Sequence, residues 1–281
     1  MIPANLIINA DDFGIELSVS KGIAHCVEKG LINSFSVLPF ADPLHDELLK
    51  SIIAQYPKVK VGSHLSLLGP SLQTSEVNET TALVENPNHY QDFMKLYLTG
   101  RYPSGRIYRE WKAQILFLAK YLGGPSRLAH LDSHQHIHML PGIWQVAVAL
   151  QREFGIPRLR IPYESLLRSL GYKFPFGLAL QALAAYRAAG RRLPEQKVRR
   201  LLGFFTSTNF TLEANRKALE QVTVHPELDF ELMVHPALRP DAMQANSVAA
   251  NMATVKPSQF QEMEELRLLQ DFFCSHLSAS K

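Results

Sequence analysis

The sequence predicts an α/β fold built on a parallel sheet. Short β-branched apolar runs alternate with stretches of helical spacing from the start of the chain. The connections between them are short, as in a sheet covered by helices. Polar and titratable residues recur where the predicted strands end, at Asp11, Asp12, His64, Asp132, His134 and His235. The C-terminal strand ends of such folds line one face, and sites are built there.

Residues 5–10, NLIINA, are a short apolar run read as a buried strand that ends in the polar turn DDFG. Residues 18–30 follow with helical spacing and a closing glycine. INSFSVLPF reads as a second strand, and 43–57 as a helix stopped by Pro57. Residues 59–68, VKVGSHLSLL, give a third strand with a polar end. The stretch 69–88 reads as loop, 91–99 as helix, and 107–122 as amphipathic helix. RLAHLDSHQHIH is a strand running into a loop, followed by a helix opened by Pro141 and closed by Gly155. RLRIPYE reads as another strand. Residues 165–203 read as mostly helical, rich in Ala, Leu and Arg, and suited to an insertion or a subunit contact. ANRKALEQV reads as helix, FELMVHPA as strand, and 257–277 as a final helix.

The chain has 281 residues, 46% of them apolar and 20% charged. About 250 residues is a usual size for a single α/β barrel, and no linker or repeat interrupts the sequence, so one domain over 1–281 is expected. A net charge of +3 is too mild to argue for nucleic acid. The basic stretch from Tyr186 to Arg200 reads as a solvated helix face. No run approaches the ~18 apolar residues of a membrane span. Cys26 and Cys274 form neither a metal spacing nor a disulfide framework. The opening residues lack the basic and apolar regions of a signal peptide, so a reducing, cytoplasmic setting is expected.

Four of the eleven histidines fall between His130 and His138. In an extended segment His130, Asp132, His134, His136 and His138 would share a face. If the chain coils after Ser133, His134 and His138 would share one at i, i+4 instead. One or two of these would be metal ligands, the others orienting ligands through the second ring nitrogen. The adjacent carboxylates of NADDFG repel unless a cation or different partners separate them. One reading gives a metal ligand and a base; the plainer one gives a turn with Asp capping the next helix, and the dipeptide alone favours it. His64 alone reads as a core histidine, raised only by its place opposite the other candidates. His235, fixed by Pro236, suits a general acid near neutral pH or a structural turn. His225, in TVHPE, reads as structural. His, His and Asp together suit zinc or another divalent transition ion better than magnesium.

NADDFG, GSHLSL, HLDSHQHIHMLP and ELMVHPA, in that order, resemble the YdjC-like carbohydrate deacetylases, which include chitooligosaccharide deacetylases and the hopanoid-associated HpnK proteins. The resemblance implies an irregular (β/α) barrel related to polysaccharide deacetylases; the 165–203 stretch has no counterpart in that family and reads as a helical insertion. It implies one divalent metal, magnesium, zinc or similar, held by Asp12, His64 and His134. Asp11 would be the base that activates a metal-bound water, and His235 the acid that protonates the leaving amine. Arg160 would orient Asp11 or contact substrate, while Asp132, His136 and His138 would support ligands or line the site. The implied substrate is an N-acetylated amino sugar or oligosaccharide, with no nucleic-acid partner and a homodimer left open. A metal-dependent phosphoester hydrolase and a non-catalytic sugar-binding barrel are the alternatives.

Overall fold

The structure is a computed structural model, and it describes residues 2–39, 42–69, 86–164, 175–189, 199–203 and 219–238. The expected helices at 257–277 and over most of 214–222 lie outside the described residues, as does most of the 69–88 loop. The described elements are β1 (Leu6–Phe13), α1 (Leu17–Glu28), β2 (Ser34–Val37), α2 (Pro43–Gln55), β3 (Lys60–Leu65), α3 (Tyr90–Leu98), α4 (Ser104–Leu122), β4 (Leu131–Ser133), α5 (Ile143–Glu153), α6 (Pro175–Ala189), β5 (Arg200–Leu202) and β6 (Phe230–Val234). The strands form one sheet in the order β4-β3-β2-β1-β6-β5. The α/β class expected from the alternating pattern is the one observed.

The chain gathers into two compact units, residues 1–35, 40–60 and 161–281 in one, 36–39 and 61–160 in the other. In the first, β1 pairs parallel with β6, Leu6 opposite Phe230 through Ala10 opposite Val234, and β5 pairs parallel with β6. Every residue of β1 is buried, which suits a parallel strand covered on both faces. α1 buries Val19, Ile23, Cys26 and Val27. α2 starts at Asp42, whose carboxylate accepts from Leu44 N–H at 2.9 Å, with Pro43 in the first turn.

In the second unit, β3 pairs parallel with β4, His64 opposite Asp132. Just past the end of β3 the backbone of Ser66 finds a side chain in place of a strand. Ser66 N–H donates to Gln114 Oε1 at 2.9 Å, and Gln114 Nε2 donates back to Ser66 O at 2.8 Å. Trp111 Nε1 donates to the same carbonyl at 3.2 Å. α4 thus fixes the chain two residues past His64 through buried groups.

RLRIPYE does not become a regular strand. Leu159 makes an isolated parallel bridge to Leu131. Arg158 O accepts from Leu131 N, Arg160 N donates to Leu131 O, and Tyr163 O accepts from Leu201 N of β5. Its backbone groups thus find partners without forming a named strand. Pro157 and Pro162 lack the N–H groups a full ladder needs. Within 165–203, α6 is helical as expected, but Arg200–Leu202 is strand. Three residues are too few to show an alternating pattern. Among the described residues, no helix is long and apolar enough to cross a membrane.

Trp111 has no exposure, so Trp111→Ala should cost about 3–5 kcal/mol in urea unfolding. A loss under about 1 kcal/mol would show that this contact does not anchor the end of β3.

Candidate metal centre and active site

β1 carries its two carboxylates to the end of a buried strand. Neighbouring strand residues point to opposite faces, so Asp11 and Asp12 should diverge. Asp12 instead has φ 71°, a left-handed conformation that Asp tolerates better than most residues. Asp11 accepts a 2.7 Å hydrogen bond from Asn9 Nδ2, two residues back on the same strand.

β3 and β4 supply the next pair. His64 Nδ1 lies 2.8 Å from Asp132 Oδ1 and 3.3 Å from Ser36 Oγ. An ionised carboxylate only accepts, so Nδ1 carries the proton and Nε2 keeps its lone pair for another partner. Arg160 Nη2 lies 2.9 Å from Asp132 Oδ2, and His130 Nε2 lies 3.4 Å from the same oxygen. Burial pushes the Asp132 pKa up, but Arg160 and then His64 outweigh it and hold the carboxyl well below its usual range. His130 fits only because residue 62 is glycine: a Cβ there would stand 2.2 Å from the His130 ring. Arg160, expected to orient Asp11 or meet substrate, has Asp132 as a salt-bridge partner.

The histidine-rich stretch neither stays extended nor forms a regular helix. β4 stops at Ser133, and 134–139 is a 3₁₀ segment kinked at Gln135 and His136, both with φ 54°. A common face for all four histidines, and an i, i+4 face for His134 and His138, both require regular backbone that this kink removes. His138 Nε2 lies 2.9 Å from Arg160 O, and its Nδ1 lies 2.5 Å from Ser133 Oγ. The carbonyl accepts, so Nε2 carries the proton and Nδ1 accepts from the serine. Burial lowers the His138 pKa to about 4, and burial followed by the Arg160 charge lowers that of His136 well below its usual value. His138 is thereby a neutral clamp between the end of β4 and the Arg160 backbone.

Three residues named from the sequence converge. One ligand atom each from Asp12, His64 and His134 lies within 4.8 Å of the others. The His64 and His134 rings are 5.7 Å apart, edge to face. Asp11, His64 and Asp132 form a second, overlapping group on the same criterion. Asp11, Asp12 and Asp132 are all buried, and Arg160 is the one buried Lys or Arg among the described residues. The carboxylates and imidazoles gathered there are the donor types that a divalent transition ion takes. The donor set and the fixed His64 tautomer fit such an ion. His235 follows Val234, which pairs with Ala10, so it stands one register step past the ladder, as Asp11 does. His136 is buried against His138, their rings 6.2 Å apart.

The sequence reading missed Asn9, Ser36 and Ser133. Small polar residues inside apolar runs carry no periodic signal, and their partners appear only when strands pair.

A parallel sheet with a His–His–Asp cluster at its strand ends defines a class of candidate metal sites. More particularly, the chain belongs to the YdjC-like family, whose model, described as YdjC-like protein, matches residues 5–275. A carbohydrate deacetylase of Brevibacillus brevis is 24% identical over 89% of this chain and 88% of its own. A carbohydrate deacetylase of Vibrio parahaemolyticus is 29% identical over 54% of this chain, and a chitooligosaccharide deacetylase of Yersinia pestis 30% over 56%. Those two matches span 57% and 58% of the relatives' own lengths. A solved structure from Enterococcus faecalis, described as a putative cellobiose-phosphate cleavage protein, superposes with TM-score 0.66 at 25% identity, over 93% of this chain and 89% of that one.

Two outcomes follow for the metal-free protein. Arg160→Met strands the Asp132 carboxylate and should cost about 3–5 kcal/mol by denaturant unfolding; a neutral result would remove the ion pair as a structural element. His138 has a folded pKa near 4 against an ordinary 6.5, so the unfolded chain takes up its proton first as pH falls. Its contribution is therefore present above pH 6.5 and is lost between 6.5 and 4. His138→Gln should flatten the stability-versus-pH slope in that window, and an unchanged slope would refute the neutral clamp.

Proposed function

We propose that this protein is a metal-dependent hydrolase that removes the acetyl group from an N-acetylated amino sugar. The observation that carries the reading is the convergence of Asp12, His64 and His134 beside a second carboxylate, Asp11. The names of the family relatives, carbohydrate and chitooligosaccharide deacetylase, support the substrate class. The whole chain acts as one catalytic domain in this reading.

Asp12, His64 through Nε2, and His134 hold one divalent ion. Two imidazoles and a carboxylate favour zinc or a similar transition ion over magnesium. When bound, the ion supplies Lewis-acid polarisation of the acetyl carbonyl and makes water a usable nucleophile near neutral pH.

The chain's own groups supply the rest. Asn9 donates to Asp11 Oδ1 and orients the carboxylate, which accepts the proton of the attacking water. A new C–O bond forms as the water attacks the acetyl carbon. His235 then donates a proton to the amide nitrogen as the C–N bond breaks, and acetate and the free amine leave. Asp132 keeps the proton of His64 on Nδ1, and Arg160 keeps Asp132 ionised.

The test joins metal analysis of the purified protein to acetate release on a panel of N-acetylated sugars. Asp12→Ala and His64→Ala should lose both metal and activity. Asp11→Asn should keep the metal and lose about 10²–10⁴-fold in kcat. Full activity in Asp11→Asn would sink the base assignment. An active metal-free protein, or phosphate release from sugar phosphates with no acetate release, would sink the whole reading.

A further inference from the structure

The ladder between β1 and β6 ends at Ala10 and Val234, yet Asp11, Asp12 and His235 all lie beyond it. Past that point one stretch of α1 holds both chains. On the β1 side, Ile15 N–H donates to Asp12 O at 3.1 Å and closes a turn. Gly14, in the same turn, has φ 100°, which strains any other residue. Its N–H donates to Ser20 Oγ at 2.9 Å. On the β6 side, Leu238 N–H donates to Ser18 O at 3.0 Å. Gly22 lies against the His235 turn so closely that a Cβ would stand 2.6 Å from Ala237 Cα and 2.8 Å from Pro236 O. Ser18, Ser20 and Gly22 span about 6 Å of helix axis.

We propose that this stretch of α1 is a brace that sets the Asp11–Asp12 strand end against the His235 turn, with Ser20, Gly22 and His45 as positioning residues. The inference rests on the roles given above to Asp11, Asp12 and His235. Ser20 has no exposure, and its hydroxyl also lies 2.8 Å from His45 Nδ1. Burial lowers the His45 pKa, opposed only in part by Asp42. In its neutral Nε2–H tautomer the ring offers Nδ1 as an acceptor for the serine proton. The serine lone pair is then turned toward Gly14 N–H. α2, which carries His45, is in this way coupled to the turn that keeps Asp12 in its left-handed conformation.

A helix that merely packed would affect stability alone, whereas a brace affects each side of the site differently. Ser20→Ala releases the Gly14 turn and should weaken zinc affinity about 10–100-fold, the range expected when a ligand loses its outer support. Gly22→Ala pushes the His235 turn outward and should lower kcat by about 10²-fold at saturating zinc, with KM and zinc affinity within about twofold. Ile115→Val, a buried change on α4, serves as the control: Tm falls while zinc affinity and kcat hold. Zinc affinity is read by calorimetry on the full chain, Tm by thermal unfolding. Unchanged zinc affinity in Ser20→Ala, or unchanged kcat in Gly22→Ala, overturns the brace. If the unaltered chain binds zinc but releases no acetate, the deacetylase reading falls and the Ser20→Ala affinity alone decides the brace. The same affinity decides it if Gly22→Ala does not fold.

Discussion

A carboxylate with no solvent exposure, Asp132, receives His64 on one oxygen and Arg160 on the other. Burying an ion is costly, and the cost is recovered only when strong partners are in place. That requirement ties three separate pieces of chain together: the end of β3, the end of β4 and the run around Arg160. Each partner gains from the arrangement. Arg160 is neutralised where no water reaches it, His64 is fixed in one tautomer, and Asp132 stays charged despite its burial. The proposed ligand nitrogen is therefore set by a group that need never touch an ion.

The same economy of contacts recurs around it. His138 clamps Ser133 to the Arg160 carbonyl, so the residue after Asp132 and the backbone of Arg160 are held by one neutral ring. Gln114 and Trp111 do the equivalent for Ser66. In each case a side chain continues the bonding that a strand would have provided had the ladder gone on. Strand ends are where parallel folds place their chemistry, and they are also where backbone groups lose their partners. This chain resolves the conflict with buried polar side chains instead of longer strands.

Much of the fold was legible in the sequence because β1, β2, β3 and their helices are long enough to show an apolar period. β5, three residues long, was not, and the prolines at 157 and 162 turned an apparent strand into a bridging run. The candidate site was legible as a set of residue types: Asp12, His64 and His134 each offer a ligand atom within 4.8 Å of the others. Their supports were not legible. Asn9, Ser36 and Ser133 look like ordinary small polar residues until distant segments meet them. The histidine cluster misled in one respect, since its density suggested a shared face. The left-handed residues Gln135 and His136 break that face, and His130, His136 and His138 are buried while His134 is half-buried.

Asp12 combines a left-handed backbone with a carboxylate among the candidate ligands. Asn tolerates the conformation and gives up the charge. Gly adopts it freely and gives up the side chain. Glu keeps the charge, but its longer side chain is disfavoured at positive φ and reaches past the same point in space. A single replacement therefore cannot meet both demands at once. Directed evolution toward a different metal or substrate would find this position closed unless the turn that follows it changed in the same step.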